Sequence, residues 1–108
     1  MDDVTFQKHA DDSLEDLFQA LNRAAEEHEL EADMNAGALT VEFEKPKAKF
    51  VVSPNSPVRQ IWVSANVRSY KLDWVDAAGA FVLPATGQTL KQMMAEAIKL
   101  HLGEEIEL

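Results

Sequence analysis

Between Asp3 and Glu27 the apolar residues Phe6, Ala10, Leu14, Leu17, Leu21, Ala24 and Ala25 recur at helical spacing, with Phe18 at the margin, and predict an amphipathic helix. Asp2 and Asp3 precede it as caps that oppose its positive end. The other side carries Lys8, Asp12, Glu15, Asp16, Gln19, Asn22, Arg23 and Glu26. Beyond the helix the period falls to two. A first strand is expected as the acidic run passes Glu31 and Asp33, and Asn35-Ala36-Gly37 is a turn signal. Leu39, Val41 and Phe43 then alternate with Thr40, Glu42 and Glu44 in a half-buried strand. After a turn at Lys45-Pro46-Lys47, Lys49 to Ser53 forms a third strand with Phe50 and Val52 inward, and Ser53-Pro54-Asn55-Ser56-Pro57 is expected to be a rigid loop.

Arg59 to Ser64 is the fourth strand. Ile61 and Val63 leave by one face, and Gln60, Trp62 and Ser64 by the other. With the aliphatic pair in the core, the strand displays its tryptophan on a polar surface. Two readings are open for such a residue: packing on its own sheet, or contact with a partner. Tyr70, Leu72 and Trp74 mark the inward side of a fifth strand, and Phe81 to Leu83 a short sixth. Thr89-Leu90-Lys91-Gln92 has the form of a capping box, opening a helix with Leu90, Met93, Met94, Ala97 and His101 on one face. Gly103 ends this helix, leaving Glu104 to Leu108 as a short tail.

Helix, sequential strands with short connections, then helix predicts an α+β fold. The expected architecture is a two-layer α-β sandwich: an antiparallel five- to six-stranded sheet with the N- and C-terminal helices on one face. The 108 residues suit one domain spanning 1–108.

Charge changes this picture by its distribution. Residues 1–44 hold 13 acidic side chains against Lys8 and Arg23, while the remainder holds 8 basic and 6 acidic ones. The formal net charge of -9 thus comes from the first part of the chain, whose field repels nucleic acid phosphates and anionic lipid and attracts cations and basic proteins. No nucleic acid or membrane partner is expected. Absence of cysteine removes disulfides, thiolate metal sites and a cysteine nucleophile. Met1-Asp2-Asp3 lacks the basic and apolar character of a targeting segment, and a cytoplasmic location is expected.

No phosphate-binding glycine loop, HxxxH spacing or nucleophile loop is present. His101 is placed on the buried helical stripe in a hydrogen-bonded role; His9 and His28 are expected to be exposed. Carboxylates alone favour hard cations and, without enclosure, bind them weakly and with little selectivity.

Several segments together resemble the frataxin family, and in loop lengths its bacterial, CyaY-type members. They are Phe6 to Asp12, Gly37 to Val41, Pro57 to Ser64, Tyr70 to Trp74 and Thr86 to Leu90. The resemblance implies a protein of iron-sulfur cluster assembly that binds iron weakly through an acidic ridge and docks on a cysteine desulfurase and a scaffold protein. Carried over by position, the ridge comprises Asp11, Asp12, Glu15 and Asp16, then Glu26, Glu27, Glu29, Glu31 and Asp33, with Glu44 at its far edge. The expected partner contacts are Asn55, Arg59, Gln60, Trp62 and Ser64. Ser53-Pro54-Asn55 stands where the family usually has Asn, a basic residue and Gln; Gln19, Asn22 and Arg23 stand at positions often acidic in relatives; and Gln7 stands where bacterial members often carry histidine.

The expected role is accessory and regulatory, with weakly held iron, other divalent cations as alternatives, and a monomer that metal can drive into oligomers. A ferroxidase or iron-storage protein is the enzymatic alternative, although no buried Glu and Glu-x-x-His constellation appears. An acidic interaction module without a metal role is the third reading.

Overall fold

A computed structural model describes all 108 residues. The first helix, α1, spans Asp3–Ala24 and buries Phe6, Ala10, Leu14, Leu17, Ala20, Leu21 and Ala24. Asp2 caps it by accepting a 2.7 Å bond from the Thr5 amide, which holds the Asp2 carboxyl below its usual pKa. The helix is shorter than its apolar period suggests. After Ala24 the amides of Glu26 and Glu27 bond three residues back, to Arg23 and Ala24, so the last turn tightens and the chain leaves the helix. Glu26, Glu27 and Glu29 therefore lie in a turn that ends in the buried Leu30.

Six strands follow in a meander: β1 Glu31–Asn35, β2 Ala38–Glu44, β3 Lys47–Asn55, β4 Gln60–Ala65, β5 Arg68–Val75 and β6 Ala80–Val82. Each pairs antiparallel with its sequence neighbour, in the spatial order β1-β2-β3-β4-β5-β6. The hairpin turns Ala36-Gly37 and Asn66-Val67 have positive φ at both positions (54° and 82°, 51° and 57°), as the two-residue turn matching strand twist requires. Such turns are closed by a hydrogen-bonded pair, and bonded pairs then alternate along the ladder.

That alternation explains the main departure from expectation. Residues 53–55 are not loop: β3 continues through Pro54, which lies opposite Ile61. β2 pairs with β3 only as far as Leu39 opposite Val52, and the alternation turns the proline nitrogen toward the side β2 has vacated. The missing N–H thus costs no ladder bond. Only Ser56–Val58 forms the connection, as a 3-10 turn, with Arg59 left-handed (φ 51°) after it.

The second helix, α2, spans Leu90–Leu102 with the expected capping box: the Thr89 hydroxyl accepts from the Gln92 amide (3.3 Å) and the Gln92 side chain from the Thr89 amide (3.0 Å). Both helices cover one face of the sheet. Their apolar sides meet Leu39, Val41, Phe43, Phe50, Val52, Ile61, Val63, Ala65, Leu72 and Phe81 in one continuous core with no buried charged or polar residue. The tail is not free either, since Ile106 is buried and Leu108 packs against the core.

Candidate functional site

The opposite face of the sheet has no helical cover. Register across the strands sets its rows: Glu31, Glu42 and Lys49; Asp33, Thr40, Val51, Ser64 and Ser69; Ser53, Trp62 and Lys71; Asn55, Gln60, Asp73 and Val82. Trp62 stands on this face with 38% of its surface exposed, as the phase of its strand predicts. Its orientation is fixed. The indole N–H donates to Gln60 Oε1 at 2.9 Å, and Gln60 Nε2 donates to Asp73 Oδ1 at 3.0 Å. Lys71 lies over the ring, its ammonium 4.9 Å from the centroid, in a cation-π contact. A ring held on two sides has little rotational freedom left to lose on contact with another molecule.

Of the expected partner residues, Asn55, Gln60, Trp62 and Ser64 share this face. Arg59 does not. Arg59 has the phase of Ile61 and Val63 and lies on the side of the helical layer, where the guanidinium pairs with Asp3 at 2.8 Å and Nε is buried without a partner. Arg59 is a strut between the start of α1 and the turn before β4. Lys71 and Asp73, which sequence reasoning passed over, belong to the surface because they lie one strand across from Trp62 and Gln60. Alternation in β5 was the signal available for them.

The acidic residues divide into two groups. Asp11, Asp12, Glu15 and Asp16 are exposed on α1, and each has a partner: Gln7 to Asp11 (2.8 Å), Lys8 to Asp12 (3.0 Å), Gln19 to Glu15 (2.9 Å) and Lys91 of α2 to Asp16 (2.9 Å). Glu26, Glu27, Glu29, Glu31 and Asp33 are exposed and make no ion pair or side-chain hydrogen bond. This second group carries the band from the helical layer around β1 to the open face, where Glu31 lies opposite Glu42. Glu42 has the same strand phase as Glu44 and belongs with the band, although the sequence reading omitted it.

Glu44 lies beyond the start of β1, in a shallow depression lined by Glu29, Glu31 and Glu42 together with Lys45, Lys47 and Lys49. Its field is partly cancelled there. No three carboxylate or imidazole groups converge closely enough to hold one metal ion between them.

The histidines serve the fold. His9 is half-buried, stacked on Trp74 with centroids 3.7 Å apart, and His28 bonds Glu104 in the tail at 2.8 Å with only 14% of its side chain exposed. Both therefore differ from the exposed positions expected of them, because each meets a residue distant in sequence. His101 does hold a structural bond, 2.7 Å to the Pro46 carbonyl, beside Phe43.

Comparison with known proteins agrees with this architecture. Residues 1–104 match the model of the frataxin-like domain. The iron-sulfur cluster assembly protein CyaY of Azotobacter vinelandii is 30% identical over 96 residues, covering 87% of this chain and 86% of that protein. The protein of the same name from Pseudomonas putida is 30% identical over 91 residues, covering 82% of each. Among solved structures, frataxin from Psychromonas ingrahamii superposes with a TM-score of 0.85 at 20% identity, over 99% of this chain and 97% of that one. Yeast frataxin gives a TM-score of 0.69 at 22% identity, over 88% and 78%.

Proposed function

The chain belongs to the frataxin-like family, and from this premise we propose that it is an accessory protein of iron-sulfur cluster assembly. It docks on a cysteine desulfurase and its scaffold protein in the cytoplasm and carries iron only loosely. The observation that carries this reading is the continuity of the unpaired acidic band with the tryptophan face. Unpaired carboxylates draw in a basic partner over a distance set by ionic strength, and the held indole supplies a short-range contact.

Iron is cargo in this reading. The donor set suits a hard cation, because every candidate ligand is a carboxylate oxygen. Exposure and the lack of convergence favour labile, water-rich binding. Each carboxylate of α1 commits one oxygen to Gln7, Lys8, Gln19 or Lys91, which competes with a metal for it, whereas Glu26, Glu27, Glu29, Glu31 and Asp33 have no such competitor. Iron is accordingly expected to bind first along the unpaired group.

Binding to a purified cysteine desulfurase, measured over a range of salt concentrations, tests the proposal. Affinity is expected to fall steeply as salt rises. Absent or salt-insensitive binding rules out the ridge as the docking element. No helix here is long and apolar enough to cross a membrane.

A further inference from the structure

The two edges of the sheet are not equivalent. β6 has three residues and is closed off by the Val82–Thr89 bridge and the bond from the Leu83 amide to the Gln88 carbonyl (2.8 Å). β1 has five residues and nothing pairs with its outer side. Its turn is closed by Asn35 and Ala38, so Asp33 with Thr40 and Glu31 with Glu42 are the bonded pairs. The amides and carbonyls of Ala32 and Met34 consequently point away from the sheet.

Neither proline nor lysine blocks this edge. Glu31 and Asp33 flank it on the open face, and Ala32 and Met34 lie only half-buried on the helix side. A second copy pairing here brings Glu31 and Asp33 against their own kind, which like-charge repulsion opposes.

We infer that the β1 edge accepts an extended basic segment of a partner protein as a seventh strand, with Ala32 and Met34 supplying the ladder and Glu31 and Asp33 the selectivity. The inference rests on the reading of the acidic band as a protein-docking surface and specifies its mode. Partner residues opposite Ala32 and Met34 form the hydrogen-bonded pairs and turn their side chains toward the helical layer. Residues opposite Glu31 and Asp33 stand close beside them on the open face. The pattern selected is therefore basic and apolar in alternation.

A short synthetic peptide alternating lysine and valine tests this on the intact chain. Two further versions carry N-methyl groups, one on the valines and one on the lysines, with the charge unchanged. Strand addition requires that the parent and lysine-methylated peptides slow hydrogen exchange at the Ala32 and Met34 amides. It also requires valine methylation, which removes the donors facing β1, to weaken binding by about tenfold or more. Ala32→Pro, which removes an outward amide and no bond to β2, is expected to abolish the protection while thermal unfolding shows the fold retained.

Equal affinity of all three peptides, or no binding, overturns the inference. Slow exchange at Ala32 in the protein alone that strengthens with concentration also overturns it and assigns the edge to a second copy. Charge-driven but methylation-insensitive binding leaves desulfurase docking intact, so the two readings fail separately.

Discussion

The two faces of β4 are built from alternate residues of one strand, yet they meet different physical demands. Ile61, Val63 and Ala65 are enclosed by the helices, with no more than 2% of any of them exposed. Gln60, Trp62 and Ser64 face away, and Trp62 is held by a hydrogen bond and a cation rather than by burial. On the inner face identity is dictated by volume, since interiors are close-packed and tolerate few voids. On the outer face identity is free of that constraint. The large aromatic there is held by polar contacts and not by enclosure, as the proposed docking role requires.

The sharpest way to break this comparison is to truncate one residue on each side. Ile61→Ala leaves a cavity against both helices and is expected to cost about 3 kcal/mol of unfolding free energy, read from the midpoint of urea denaturation. Trp62→Ala is expected to lower stability by less than about 1 kcal/mol, the loss of an exposed cation-π contact and one hydrogen bond. Its affinity for the proposed desulfurase partner is expected to fall by about thirtyfold, the order of a hot-spot residue. A stability loss for Trp62→Ala as large as that for Ile61→Ala makes the outer face structural and removes the distinction.

A smaller effect sharpens the comparison from a third position. Val67, at the tip of the β4–β5 turn, is fully exposed and holds φ at 57°, a conformation unfavourable to a β-branched residue. It contributes neither volume nor enclosure. Val67→Gly is expected to raise stability by about 0.5 to 1 kcal/mol, the strain relieved outweighing the added entropy of the unfolded chain. Calorimetric unfolding of the two proteins checks the sign.

Much of the fold was legible because it depends on local periodicity: both helical stripes, the phases of β2 to β5, the capping box at Thr89 and the display of Trp62. Most of the errors share a physical origin in contacts between distant residues or in special backbone geometry. Pro54 could be read as strand only once the end of β2 was known. Arg59 shares the inward phase of Ile61 and Val63, so alternation already set it apart from the open face, while its partner Asp3 is fixed only by the fold. For the acidic band, membership apart from Glu42 was legible in the sequence, but the pairing was not. Lys91 reaches Asp16 from the other end of the chain, so the division into neutralised and free carboxylates emerges only in three dimensions. Glu42 was the avoidable omission, since its alternation with Val41 and Phe43 was already visible.

The stacking of His9 on Trp74 gives the molecule an optical property. Trp74 lies against His9 of α1 and bonds Asp76 through its ring nitrogen (2.6 Å), so its emission reports the seating of α1 on the sheet. Trp62, half-open to water on the other side, shifts its emission when something covers it. The chain has two tryptophans. Its intrinsic spectrum is thus two signals in one, a band from Trp74 that reads the closure of the layers and a band from Trp62 that reads occupancy of the open face.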